Sequence, residues 1–475
     1  MTDIHELSAL DLAAAVRRRE VSPTEVLDHT LERARRLGPD VGAFVHVAED
    51  HARAQADRAT ERLADGGELP PFLGVPVPIK DLVMVGGLPF EAGSATLRGF
   101  VAPADDGIAT TLAGAGTLMV GKTTTPEFGL PPYTEPDVAA PARSPWDPRR
   151  SAGGSSGGAA AAVAAGIVPV AHGNDGGGSI RIPASACGLV GLKPSRGRIS
   201  KGPYGVDGAG GSTDGVVSRT VRDTAAFLDV LSRPWPGDHY LLPRPRTTFL
   251  DACDRAPQPL RIGILTKPIN VVDAPVHASS LAAVERAGRL LESLGHHVTV
   301  TTVPFTAEEW EAFRPTWAVG ALSAPIAPDV EPLLVPLTRW MRDQGRGYSA
   351  VDYANAVATA QRLARAAAQV WDGLDVVLTP TLATPSPFIG AMRDDGDPAG
   401  DFEAQKAFTP WTSPWNMIGA AAISVPLHRA EVDGVTLPVG VQLGATRLGQ
   451  EEMLLALAAQ LEAADPWPLL PAATA

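Results

Sequence analysis

Cysteine is nearly absent: a chain of 475 residues carries two, Cys187 and Cys253. Neither falls in the paired Cys/His spacing of a zinc site, so a disulfide framework and a structural metal are excluded and a reducing compartment is expected. Basic charge is also short. Against 53 Asp and Glu stand 40 Lys and Arg, a formal net charge of -13, which provides no basic surface for direct nucleic-acid binding. Long hydrophobic runs are missing too. The longest, Ala159 to Ala171, is too short to span a bilayer and contains Gly166 and Pro169. The opening "MTDIHELSALDLAAAV" lacks the basic stretch and apolar core of a secretion signal, and no Asn-x-Ser/Thr acceptor occurs anywhere. The expectation is a cytoplasmic protein without a membrane segment.

What is present suits a large folded core. Apolar residues make up 45% and charged residues 20% of the chain, as in soluble globular proteins. From Ser8 to about Leu63 the pattern is helical, with Ser8 placed to cap "ALDLAAAVRRRE" and Ser22-Pro23 opening "TEVLDHTLERARRL". Gly66 and Gly67 end this portion. Beyond it, β-like runs ("LGVPVPI", "TLMVG", "RIGIL", "HHVTVTTV", "DVVLTP", "LPVGVQLGA") alternate with helical ones such as "SSLAAVERAGRLLESLG" and "EEMLLALAAQLEAA". That alternation predicts an α/β protein. We expect one domain over 1–475: a helical portion at 1–66, a glycine- and serine-rich core at 67–230, and a remainder at 231–475 that begins with a Pro-rich connection.

Several motifs compete for the chemistry. "GTLMVGKT" (116–123) matches the phosphate-loop pattern with Lys122 on the phosphates. Its intervening residues are themselves strand-like and Pro126 blocks the helix that should follow, so a buried strand is the better reading. "GSSGG" (154–158) matches the nucleophile elbow of an esterase-like hydrolase, with Ser156 attacking and His428 as a partner. An elbow follows an apolar strand, whereas "PWDPRRSA" precedes this one. The alanine run after it favours a helix with Ser155 and Ser156 at its capped start. A third element, "DGGGSIR", places Gly176, Gly177 and Gly178 beside Ser179. Without side chains, their N–H groups can converge on a developing oxyanion, each worth about 3 kcal/mol in a transition state. Lys80, at the end of the apolar "LGVPVPIK", is open to two readings: an ion pair with Asp81, or a desolvated amine able to serve as a base.

Taken together, "GVPVPIKDL", "AGTLMVGKTTTPEFG", "SPWDPRRS", "GGSSGG", "GGSIRIPASACG", "GLKP" and "LPVGVQLGA" strongly resemble the amidase signature family over nearly the whole chain. The resemblance implies a central mixed β-sheet covered by helices on both sides and hydrolysis of a small-molecule amide through an acyl-enzyme, with no metal or cofactor. It matches the family's general base to Lys80, its bridging serine, preceded by a cis peptide, to Ser155, and its nucleophile to Ser179. Asp175 and Arg181 are expected to pair structurally, Cys187 to pack, and His172 to be a satisfied core histidine. Asn174, Gly176 and Thr124 depart from the residues the family more often carries there. "AHGND", "RIPAS" and "GRIS" are similar to the branch that includes 6-aminohexanoate-cyclic-dimer hydrolase. Pocket walls are expected from 310–353 and 411–416, where Trp317, Trp340 and Met341 either suggest an apolar acyl group or belong to the core. The same resemblance leaves open the amidase subunit of a tRNA-dependent amidotransferase, and a homodimer. A catalytically silent binding protein on the same scaffold is disfavoured by the presence of Lys80, Ser155 and Ser179.

Overall fold

A computed structural model describes residues 3–206 and 208–471. Its first helices start where the capping chemistry places them. The Ser8 hydroxyl accepts the Asp11 N–H to open Ala9–Arg17, and Ser22 forms a reciprocal capping box with Glu25 to open Pro23–Val41. The helical stretch is then interrupted: Gly42 takes a left-handed conformation and the chain enters strand β1 (Phe44–Val47) before the helix Glu49–Asp65. Local periodicity hides β1 because its reason is distant. It pairs with residues 121–123 on the far side of the N-terminal region.

That partner is β3 (Gly121–Thr123), flanked on its other edge by β2 (Ile79–Lys80) in a sheet of order β1-β3-β2. The strands expected over "LGVPVPI" and "TLMVG" shrink to these ends, with one bridge from Pro76 to Leu118. Pro76 and Pro78 have no N–H to offer a continuous ladder. β4 (Arg143–Ser144) and β5 (Asp147–Ser151) form a short ribbon.

The remaining strands build one eight-stranded mixed sheet: β6 (Val170–Asp175), β7 (Val190–Lys193), β8 (Thr213–Ser218), β9 (Arg261–Ile264), β10 (His297–Val300), β11 (Val376–Pro380), β12 (Ala422–Val432) and β13 (Val435–Ala445). Its order is β10-β9-β11-β13-β12-β7-β8-β6, parallel at the β10-β9-β11 end and antiparallel elsewhere. Successive strand residues face opposite sides, and the two cores divide accordingly. Ala171 and Val217 join one core with the helices Pro23–Val41, Gly157–Ala164 and Arg181–Cys187. Val170 and Val216 join the other with Val221–Leu231, Ala278–Ser293 and Glu451–Ala464.

The glycine- and alanine-rich segment answers to close approach. A Cβ at Gly158 would stand 2.5 Å from the Thr124 nitrogen, and one at Gly154 would stand 2.7 Å from the Tyr133 backbone. Ala159 to Ala165 are all essentially inaccessible to solvent. Small side chains let this helix lie directly on the sheet, and that contact sets the position of the residues at its N-terminus. Among the described residues, no helix is long and apolar enough to cross a membrane.

Candidate active site

The N-terminus of Gly157–Ala164 and the turn after β6 meet at the floor of a cavity of about 530 Å³. Ser155 and Ser179 both line it. The Gly154-Ser155 peptide bond is cis. The next residue ties the two segments together, since the Ser156 N–H donates to the Ser179 carbonyl at 3.2 Å.

Lys80 enters this floor from β2, fully buried, with Nζ 2.7 Å from Ser155 Oγ and 2.6 Å from Asn174 Oδ1. It does not pair with Asp81. That carboxylate takes Lys122 Nζ at 2.5 Å and the backbone N–H groups of Glu91 and Ala92. Lys122 is thus a buried strand residue on β3, as the failed phosphate-loop context implied. Burial pushes the Lys80 amine down to about 7, against the pull of Asp175 and Asp214 and with help from the Lys201 charge. Near neutral pH a sizeable fraction of Lys80 is therefore unprotonated.

Arg181 Nε and Nη2 each donate to a carboxylate oxygen of Asp175 at 2.9 Å, a bidentate pair entirely out of solvent. Burial alone would raise the Asp175 carboxyl, yet the charge and hydrogen bonds of Arg181, with the Asn416 hydrogen bond and the Lys193 charge, together hold the group well below the usual range. Around them Asn416 Nδ2 donates to Asp175 Oδ1, and Arg181 donates to the Thr412 carbonyl and Gln442 Oε1. Asp175 also receives the N–H groups of Gly178 and Ile180 at 2.8 and 3.2 Å, which curls the chain around Ser179. Of the three glycines expected to supply oxyanion donors, Gly178 is therefore already engaged. Its φ of 131° and the 2.5 Å a Cβ would leave to Thr412 Oγ1 account for the glycine. The N–H groups of Gly176 and Gly177 have no hydrogen-bond partner among the described residues, and both glycines line the cavity.

His172 is buried and satisfied: Nδ1 accepts the Lys80 N–H, Nε2 faces Asp214 Oδ1 at 3.2 Å, and burial lowers its pKa. Cys187 is inaccessible, its thiol pushed up to about 12 by burial. Ser156 holds the N-cap position without capping, and its hydroxyl donates to the Asn174 carbonyl at 3.3 Å. It is fully buried and does not line the cavity, so the esterase elbow fails. Its supposed partner, His428, sits on β12 opposite Val439.

The walls depart further from expectation. Trp310, Phe313, Arg314 and Trp317 do line the cavity, but Met341 is buried in a separate cluster with Ala321 and Leu337, against which Trp340 packs. Trp411 and Trp415 are core residues whose indole N–H groups reach the carbonyls of Lys267 and Ala445. From the expected 411–416 stretch Ser413 reaches the cavity. Leu82, Phe128, Leu130, Phe402 and Lys406 also line it. Nothing in the local sequence marks these, since they come from three separate segments.

An α/β architecture with a buried lysine, paired serines and unoccupied backbone donors at the base of an apolar cavity defines a hydrolase of acyl compounds. The chain belongs to the amidase family, whose model matches residues 25–455, and it is an amidase, a hydrolase of amides. A relative from Synechocystis sp. is 38% identical over 472 residues, covering 97% of this chain and 89% of that one. The 6-aminohexanoate-cyclic-dimer hydrolase of Paenarthrobacter ureafaciens is 35% identical, covering 96% and 94%. Among solved structures, 6-aminohexanoate cyclic dimer hydrolase complexed with substrate superimposes with a TM-score of 0.89 at 32% identity over the full length of both chains.

Proposed function

We propose that this amidase works through an acyl-enzyme on Ser179. Neutral Lys80 takes the hydroxyl proton of Ser155, Ser155 takes that of Ser179, and the Ser179 oxygen attacks the amide carbonyl. The N–H groups of Gly176 and Gly177 receive the oxyanion. Collapse of the tetrahedral intermediate breaks the C–N bond, and the proton held on Lys80 returns through Ser155 to the departing amine. Water, activated by the same relay, then hydrolyses the ester to release the acid and restore Ser179. The observation that carries this reading is the 2.7 Å approach of a fully buried Lys80 amine, without a carboxylate partner among the described residues, to Ser155 at the cavity floor.

The substrate is a small linear or cyclic amide with an apolar acyl body. Phe128, Leu130, Trp310, Phe313 and Trp317 surround the space above Ser179, and such walls gain most from burying apolar surface. The test is to treat the protein with a fluorophosphonate and locate the adduct by peptide mass spectrometry, beside a Lys80→Ala control. We expect an adduct on Ser179 that fades in the control; an adduct elsewhere overturns the reading. A panel of aliphatic, aryl and small polar amides tests the substrate class, which best turnover on the small polar amides would sink.

A further inference from the structure

The Lys80 amine has two close neighbours, and one of them has no part in the relay. Asn174, the half-buried residue before Asp175 on β6, brings Oδ1 to 2.6 Å from Nζ. The ionised groups nearby are committed elsewhere. Asp175 holds Arg181, Asp214 holds Lys201 and faces His172 Nε2, His172 Nδ1 faces the Lys80 backbone N–H, and Lys122 on the adjoining strand holds Asp81. Among the described residues, Lys80 Nζ thus meets only neutral oxygens.

We propose that Asn174 is the positioning residue for the base: its amide oxygen takes one N–H of the Lys80 amine and so aims the nitrogen lone pair at Ser155. The inference rests on the Ser-Ser-Lys reading above. Its chemistry follows from the donor inventory. A neutral amine has two N–H groups and one lone pair, and an amide oxygen only accepts. Contact with Asn174 Oδ1 therefore occupies an N–H and cannot consume the lone pair. A hydroxyl in this place could donate to the nitrogen and compete with Ser155. A carboxylate would hold the proton on Lys80 and remove the base at neutral pH. An amide carbonyl meets both requirements.

The test measures the pH dependence of the fluorophosphonate labelling rate, which needs no knowledge of the natural substrate. It compares the native protein with Asn174→Asp, Asn174→Leu and Lys80→Met. In the native protein the rate should rise through about pH 7, where the buried Lys80 loses its proton. Asn174→Asp, nearly unchanged in volume, should move that rise upward by about one to three pH units. Asn174→Leu should lower the plateau by roughly 10- to 100-fold, the scale of a misplaced reacting group. Asn174→Asp titrating at the native pH, or Asn174→Leu labelling at the native rate, overturns the positioning role while leaving the relay intact, provided that Lys80→Met is slow. Lys80→Met labelling as fast as the native protein at every pH would remove the relay itself, and the role of Asn174 with it.

Discussion

The floor and the walls of the cavity are built in opposite ways. On the floor, Asp175 and Arg181 are inaccessible, and the side chains of Asn416 and Gln442 and the carbonyl of Thr412 complete their hydrogen bonds. On the walls, Trp310, Trp317, Phe402 and Lys406 are only partly covered. Charges there share loosely: Lys406 pairs with both Glu311 and Glu403, and Arg314 lies over the rings of Trp340 and Phe402. A buried, fully satisfied network admits one arrangement, because each broken bond leaves an unpaired group in a low dielectric. Partly exposed aromatic walls can change shape at modest cost. On the proposed mechanism the chemistry is accordingly tied to the rigid region, and the choice of amide to the adaptable one.

The sharpest way to break this division is Ser179→Ala, which should reduce amide turnover by roughly 10⁴-fold or more while leaving the unfolding midpoint close to native. Activity surviving within tenfold would move the nucleophile off the floor. Next in size is Arg181→Met. It strands the buried Asp175 carboxylate, so urea unfolding should show a loss of about 3–5 kcal/mol; a loss below about 1 kcal/mol would mean that the floor is not rigid in the sense described. Trp317→Ala addresses the wall. Trp317 packs over the donor loop, 3.1 Å from where a Gly177 Cβ would stand. Removing it should cost about 1–3 kcal/mol in kcat/KM for a bulky aryl amide and far less for a small aliphatic one. An equal loss on both substrates would assign Trp317 to the floor.

The smallest effect concerns a second buried lysine. Lys193, in "GLKP", is inaccessible and its Nζ donates to the Pro194 carbonyl, with burial and the Arg181 charge pushing it down to about 7 from 10.5. Between those values the unfolded chain holds a proton that the folded chain does not, so the folded state gains stability as pH rises through this window and the contribution is flat below it. Lys193→Met should remove that rise. The stability of the native protein relative to the variant should grow between pH 7 and pH 9 by up to about 1.4 kcal/mol for each pH unit. A difference independent of pH would show that Lys193 keeps its proton in the fold.

Much of the floor was legible because its elements are contiguous. "GGSSGG", the alanine run and "DGGGSIR" each carry their own backbone and capping logic, and the Asp175–Arg181 pair spans a single turn. Helix starts at Ser8, Ser22 and Glu451 were legible for the same reason. β1 was not, because Phe44–Val47 is a strand only through its pairing with β3. Lys80 remained open between two partners because Lys122, which decides where Asp81 goes, lies 41 residues further along the chain. Trp340 and Met341 stayed open between pocket and core, since an apolar helical residue reads the same whether it faces one or the other; the structure buries Met341 in a separate cluster and packs Trp340 against it.

By itself the sequence determined the α/β class, the family, the small-residue contacts that seat the helix Gly157–Ala164, and the identity of the residues that meet at the floor. Only the tertiary structure decided that Asp81 belongs to Lys122, that Asn174 faces the Lys80 amine, that Gly178 donates inward, and which distant segments wall the cavity. The division has one physical cause. Periodicity, capping and steric demand act between near neighbours in the chain, whereas the partner of a buried charge and the lining of a cavity are set by which distant strands become adjacent.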